Sequence, residues 1–299
     1  MSRVLKSPVQ LVRAVVDDLV TTFFPADCRV CGGPLTSAGT SPLCHECVDD
    51  LREQTAVLCS RCGEALDLDG LRFEEQQGAD VLCGPCRMAP PDFARAAAWG
   101  VYTDGMREAI QLLKYERMET AAGPLGRLLA RVIERMADEG MSTDLTVIAV
   151  PLFAAKQRQR GYNQSVLLAD HAIRELRRNR GWSLKVAHRA MVRTRQTENQ
   201  FGLSTHARRR NLRGAFTVAD PQWVSGREVL LIDDIYTTGA TARECARVLR
   251  QAGAVKVWVA TVARAQKEMV ALWDAVPGRS WPDAAEGAAG YVTSAEFSI

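Results

Sequence analysis

The 299-residue sequence contains no apolar run long enough to cross a bilayer. Its most apolar N-terminal stretch, LVRAVVDDLVTTFF, is broken by Asp17 and Asp18, and no small-residue cleavage site follows it. Neither a spanning anchor nor a secretory leader is therefore expected, and the cytoplasm is the expected compartment. Residues 1–24 read instead as a short amphipathic helix. Histidine is scarce, at 4 residues, and none stands in a spacing that names a partner for catalysis. Hydrophobic residues at 47% and charged residues at 24% are ordinary for a soluble globular chain, and the length allows two domains.

Net charge is also low, at +3, but it is unevenly spread. Residues 156–213 hold 15 Lys and Arg against 3 Asp and Glu, which leaves the remainder at −9. A basic segment within an acidic chain points to an anionic partner such as phosphate, pyrophosphate or nucleic acid. Aromatic side chains for base stacking are few there: Tyr162, Trp182 and Phe201.

What the sequence does have is cysteine in pairs. Eight of its 9 cysteines form four C-x2-C units, Cys28/Cys31, Cys44/Cys47, Cys59/Cys62 and Cys83/Cys86, with gaps of 12, 11 and 20 residues. In a compartment where disulfides are rare, such units read as metal ligands. Two thiolates on one tight turn hold two corners of a tetrahedron, and a second pair closes it at roughly 2.3 Å from zinc to sulfur. Eight thiolates make two sites. Sequential pairing of the units gives two successive ribbons, and a crossed pairing satisfies the same count. Four thiolates leave no open position for a catalytic water, so the zinc is expected to be structural. His45, inside the second unit, reads as a solvent-facing neighbour, and Cys245 as a small buried residue.

Beyond residue 92 the pattern becomes α/β. YTDGMREAIQLLKYERM and GPLGRLLARVIERMADEG read as helices, and DLTVIAVPL as a buried strand. A basic loop, FAAKQRQRGYNQS, then leads to a helix beginning near Val166. A strand near LKVAHRAMV, a long polar segment over residues 193–213, and GAFTVA follow. The stretch VLLIDDIYTTGAT is the most informative. Its four apolar residues lack polar alternation and predict a strand covered on both faces. Two carboxylates end that strand, a Thr/Gly loop follows, and ATARECARVLRQAGA predicts a helix stopped near Gly253. A loop between a strand end and a helix start presents free N–H groups to an anion. Alternating strands and helices, closing with AVKVWVATVAR, predict an open sheet whose ligands lie beyond its carboxyl ends.

VLLIDDIYTTGAT resembles the phosphoribosyl-pyrophosphate signature of type I phosphoribosyltransferases, with Tyr236 bulkier than the usual aliphatic residue. The ordered set is narrower still. Four C-x2-C units, then LLKYERM, VPLFAAKQRQRGYNQS, GLSTHARRRNLRGAF and VLLIDDIYTTGAT are similar to the ComF family of competence-associated proteins, over roughly residues 24–264. The resemblance implies a type I phosphoribosyltransferase-like, mainly parallel open sheet with helices on both faces over residues 93–264. It also implies a small N-terminal double zinc ribbon over residues 25–92. Residues 265–299 match nothing in that pattern and are expected to form a poorly ordered tail.

The resemblance also implies roles. Asp233 and Asp234 would accept hydrogen bonds from the ribose hydroxyls. Thr237, Thr238, Gly239, Ala240 and Thr241 would wrap the 5′-phosphate, and Lys156, Arg158 and Arg160 would clamp the pyrophosphate, with Mg²⁺ bridging ligand oxygens. Lys114 and Arg208 are further phosphate candidates, Arg208 within the segment that would close over the reacting centre. The implied chemistry is pentosyl transfer from phosphoribosyl pyrophosphate to an unnamed acceptor. The alternatives are a nucleotide-sensing or single-stranded-DNA-handling module that uses the same pocket in DNA uptake, with a DNA-translocating helicase as partner, or a zinc-ribbon scaffold. The intact Asp-Asp and Thr-Thr-Gly-Ala-Thr argue against a vestigial pocket.

Overall fold

A computed structural model describes residues 26–35, 41–66, 81–178, 181–196 and 211–266. The N-terminal helix expected over 1–24 and nearly all of the expected tail therefore lie outside the described residues. Two short helices, α1 (His45–Asp49) and α2 (Gly84–Met88), belong to the cysteine-rich region. Next come β1 (Arg95–Val101), α3 (Asp104–Tyr115), α4 (Ala122–Asp138) and β2 (Asp144–Ala149). They are followed by α5 (Ala154–Arg160), α6 (Gln164–Leu176), β3 (Ser183–Val186), β4 (Met191–Arg193) and β5 (Phe216–Val218). β6 (Glu228–Tyr236), α7 (Ala240–Gln251) and β7 (Lys256–Arg264) complete the order.

Five strands form one sheet in the order β1-β7-β6-β2-β3, and every neighbouring pair is parallel. β6 and β7 sit at its centre and are apolar nearly throughout, as burial on both faces requires. One face carries Leu230, Ile232, Trp258 and Ala260 against Leu113, Leu129 and Leu168 of α3, α4 and α6. The other carries Leu231, Val257 and Val259 against Cys245 and Leu249 of α7. Among the described residues no helix is long and apolar enough to cross a membrane.

Three local expectations needed correction. RAAAWGV, read as no element, is the edge strand β1; its alanines give a weak strand signal, and pairing with β7 decides it. The basic loop holds a two-turn helix, α5, ended by Gly161 at φ 91°. LKVAHRAMV divides into β3 in the main sheet and β4, which pairs antiparallel with β5 as a separate two-stranded ribbon.

The two halves of the cysteine region are built alike. In one, Gly32 at φ 72° donates to the Cys28 carbonyl at 2.8 Å, and Asp27 bridges Pro34. In the other, Gly63 at φ 69° donates to the Cys59 carbonyl at 2.8 Å, and Leu58 bridges Ala65. The halves straddle the edge of the sheet: Leu43 and Leu51 join the α3/α4/α6 core, while Cys59, Cys62, Cys83 and Cys86 join the α7 core. The chain between them runs along β1, where Gln54 N–H donates to Trp99 O and Ala96 N–H donates to Arg61 O, both at 2.9 Å. This covers an edge strand whose free N–H and C=O groups would otherwise invite pairing with another chain. A side chain at Gly100 would lie 2.6 Å from the Arg52 carbonyl, so only glycine admits this approach.

Candidate functional site

The two cysteine groups resolve the pairing left open by the sequence: Cys28, Cys31, Cys44 and Cys47 converge, as do Cys59, Cys62, Cys83 and Cys86. Within each group all sulfurs lie within 4.8 Å of one another, with Cys31–Cys44 at 3.7 Å and Cys62–Cys83 at 3.6 Å. A tetrahedral zinc at roughly 2.3 Å from each sulfur needs edges of about 3.8 Å, so the donor sets fit. Backbone N–H groups back the sulfurs in matched positions, Cys44 N–H to Cys28 Sγ and Cys83 N–H to Cys59 Sγ, each at 3.3 Å. Charge makes the same case. Hydrogen bonds from the Cys62 and Cys86 thiols hold Cys59 far below the usual thiol range, and Cys59 in turn pushes Cys62 up to about 12. Without a cation these sulfurs must share protons, and only a bound cation lets all four act as thiolates. His45 pairs with Asp49 on the surface and is not a ligand.

The second site lies at the carboxyl end of β6. That strand continues through both carboxylates to Tyr236, since Asp233, Ile235 and Tyr236 keep register with Thr261, Ala263 and Arg264 of β7. Asp233 and residues 237–241 line one pocket with Tyr236 and Thr261. Gly239, at φ 73°, caps α7, and Ala240 N–H reaches the Thr238 hydroxyl at 3.4 Å. The loop thus delivers three threonine hydroxyls to the start of a 12-residue helix, whose first N–H groups have no intrahelical partner.

Successive side chains on a strand point to opposite faces, and the two acids divide accordingly. Asp233 Oδ1 accepts from the Ser165 hydroxyl and from Asp234 N–H, both at 3.0 Å. Burial, then the charge of Asp234, pushes the Asp233 carboxyl up to about 7, against the opposing pull of Lys114. Asp234 is buried and pairs with Lys114 Nζ at 3.3 Å. Its Oδ2 is buried without a hydrogen-bond partner among the described residues. A buried carboxylate oxygen left unsatisfied is costly, and such costs concentrate at functional sites.

The remaining candidates are dispersed. Lys114 sits beneath the acids rather than at the surface. Lys156, Arg158 and Arg160 lie on α5 and do not line the pocket. Arg158 is exposed. Arg160 is buried, bonded to Gln164 and stacked 5.5 Å from the Tyr115 ring centroid. Arg208 lies outside the described residues. Sequence reasoning missed Ser165, which orients Asp233 through a fold contact no motif encodes. It also missed His188, whose Nδ1 accepts from Ala149 N–H at 3.1 Å where β2 leads into the α5 segment.

Two family models match the chain: a double zinc ribbon domain over residues 19–87 and a phosphoribosyl transferase domain over residues 163–282. The chain is 33% identical over 237 residues to the DNA utilization protein YhgH of Escherichia coli O157:H7, covering 78% of this chain and 96% of that one. It is 29% identical over 245 residues to competence protein F of Haemophilus influenzae, covering 81% and 99%. This chain belongs to the ComF family. A more distant member, competence protein ComFC of Bacillus subtilis, is 23% identical over 225 residues, covering 71% and 79%. The ComF architecture accounts for both centres described above, a pair of four-cysteine groups and a phosphoribosyltransferase-type strand-loop-helix.

Proposed function

We propose that this ComF protein binds phosphoribosyl pyrophosphate with Mg²⁺ in the pocket formed by Asp233 and residues 237–241, and transfers its pentosyl group to an acceptor. The observation that carries this reading is the pocket itself: Asp233 and three threonines line one space at a helix start. Its lining offers opposite ends of a sugar phosphate their partners, ribose hydroxyls on Asp233 and the 5′-phosphate on the loop N–H groups.

Mg²⁺ prefers oxygen ligands and keeps most of them from phosphates and water. Asp233 is the protein oxygen available to it, because Asp234 is held by Lys114. The bound ion would supply charge neutralisation for the departing pyrophosphate. The chain's own contributions are to hold the ribose at Asp233, fix the 5′-phosphate on α7, and present Lys156 and Arg158 to the pyrophosphate as the bond to ribose C1 breaks. Stabilising that leaving charge lowers the barrier without requiring a general base.

Calorimetric titration with ribose 5-phosphate and with phosphoribosyl pyrophosphate, each with Mg²⁺, tests the binding. Asp233→Asn/Asp234→Asn should lower affinity for both at least about tenfold, since charge-assisted bonds contribute about 1.5–3 kcal/mol each. Wild-type affinity in that variant would sink the reading. Pyrophosphate release across a panel of acceptors then tests transfer.

The relatives' names, DNA utilization and competence, favour a second reading in which the same pocket serves a DNA-handling factor in the cytoplasm. Binding of a single strand along the basic residues 156–213 would weaken steeply with salt, and replacing Arg208, Arg209 and Arg210 would flatten that slope. An unchanged slope would move the strand elsewhere.

A further inference from the structure

The second cysteine group and the threonine loop are joined by side chains on both flanks of the loop, buried on the strand side and half-buried on the helix side. On the strand side, Arg264 closes β7 beside Tyr236, with its guanidinium 4.3 Å from the Tyr236 ring centroid. Arg264 is only 3% exposed. It donates to the Cys62 carbonyl, forms an ion pair with buried Glu64, and lies 3.7 Å from Cys62 Sγ. On the helix side, Arg243 in the first turn of α7 donates to the Ala89 carbonyl at 2.8 Å and lies 4.0 Å from Cys86 Sγ. Between these flanks the loop rests on the Tyr236 phenol. A methyl group built on Gly239 would stand 2.1 Å from the Tyr236 hydroxyl.

Physical chemistry gives these contacts a direction. A buried guanidinium is tolerated only while it is paired. The partners of Arg264 come from the second cysteine group: a carboxylate and a carbonyl held by its turn, and a sulfur that is anionic only when it ligates a metal. Without the metal the turn has little else to fold it, and Arg264 loses all three partners. Its guanidinium then leaves the Tyr236 ring, and the support beneath Gly239 goes with it. The first group packs on the other face of the sheet, through Leu43 and Leu51, against Trp99 and Met106.

We propose that zinc at Cys59, Cys62, Cys83 and Cys86 is coupled energetically to ligand binding at residues 237–241, through Arg264–Tyr236 and Arg243, whereas zinc at the first group is not. Arg264 and Arg243 are positioning residues for the phosphate loop. The inference rests on the sugar-phosphate reading of that loop.

Coupling is reciprocal, so a loop ligand must tighten zinc binding at the second group by the factor by which that zinc tightens the ligand. The test titrates the full-length, zinc-loaded protein with a chromophoric chelator, with and without saturating ribose 5-phosphate. Cys31→Ser and Cys62→Ser proteins assign the two zinc fractions. The second-group zinc should be held at least about fivefold more tightly with ribose 5-phosphate present. The first-group zinc should be unchanged, which also controls for effects of the sugar phosphate on the chelator. In Arg264→Met/Arg243→Ala, both zinc atoms should remain and the shift should vanish.

Equal shifts at both groups, or none at the second while calorimetry registers ribose 5-phosphate binding, would overturn the coupling and leave the binding reading standing. A shift that persists in the double variant would overturn the assignment to these arginines. Failure of the wild-type protein to bind ribose 5-phosphate would remove the underlying reading, and the coupling with it. The wild-type comparison stands even where the double variant does not fold.

Discussion

Lys114 Nζ lies 3.3 Å from Asp234 Oδ1, and the two side chains are 3% and 6% exposed. A helix-end lysine and a strand-end aspartate are thereby fixed to each other under the pocket. Removing one partner strands the other charge. Lys114→Met should cost about 3–5 kcal/mol in equilibrium urea unfolding. Lys114→Met/Asp234→Asn should recover most of that loss, because neither charge of the pair is left without its partner. Equal losses in the single and double variants would mean that packing of the lysine stem, rather than charge, holds α3 to β6.

Asp233 makes stability depend on pH in the opposite sense to an ordinary salt-bridged carboxylate. Its folded-state pKa, pushed up to about 7 by burial and by Asp234, stands above an unfolded value near 3.9. Its contribution is therefore fully present below about pH 4 and is lost as pH rises through about 7. Asp233→Asn should melt at least about 2 °C above wild type at pH 8, and the gap should close at pH 4. A variant less stable at pH 8 would contradict the assignment.

Gly239 should tolerate no side chain. Its φ of 73° strains any other residue, and the Tyr236 ring occupies the space a methyl would need. Gly239→Ala should keep both zinc atoms and lose ribose 5-phosphate binding by at least about tenfold in calorimetry, because the loop must lift from the phenol. Unchanged affinity would show that the loop does not hold the phosphate.

The arginines of α5 should separate into one that binds and one that builds. Arg158 is exposed, so Arg158→Ala should spare stability and weaken phosphoribosyl pyrophosphate but not ribose 5-phosphate. Arg160, buried against Tyr115 and Gln164, should cost about 1–2 kcal/mol of stability on truncation to alanine. Thermal unfolding and calorimetry of the two variants decide it, and the reverse pattern would invert the roles.

Elemental analysis of protein purified without chelator should give two zinc atoms per chain, one for each four-cysteine group. Cys31→Ser and Cys62→Ser should each retain one. Loss of both from either variant would mean that the two halves fold as a single unit.

The sequence by itself determined the centres whose residues lie close together in the chain. Each C-x2-C unit is a local turn that sets its own two sulfurs, and VLLIDDIYTTGAT is one strand, one loop and one helix start. Covalent proximity fixes such geometry before any long-range packing. The order of apolar strands and helices likewise announced the parallel sheet. Tertiary structure alone decided which cysteine units share a metal, since sequential and crossed pairings satisfy the same spacing. It also decided that weak β1 is a strand, because pairing with β7 outweighs the poor propensity of its alanines. It turned Lys114 inward to Asp234, folded Arg160 away from the pocket, and brought Ser165 to Asp233 across 68 residues. It set Arg264 against Cys62 across 202 residues. Those contacts depend on where buried charges find partners, and a buried charge takes whichever partner the packed sheet brings within reach.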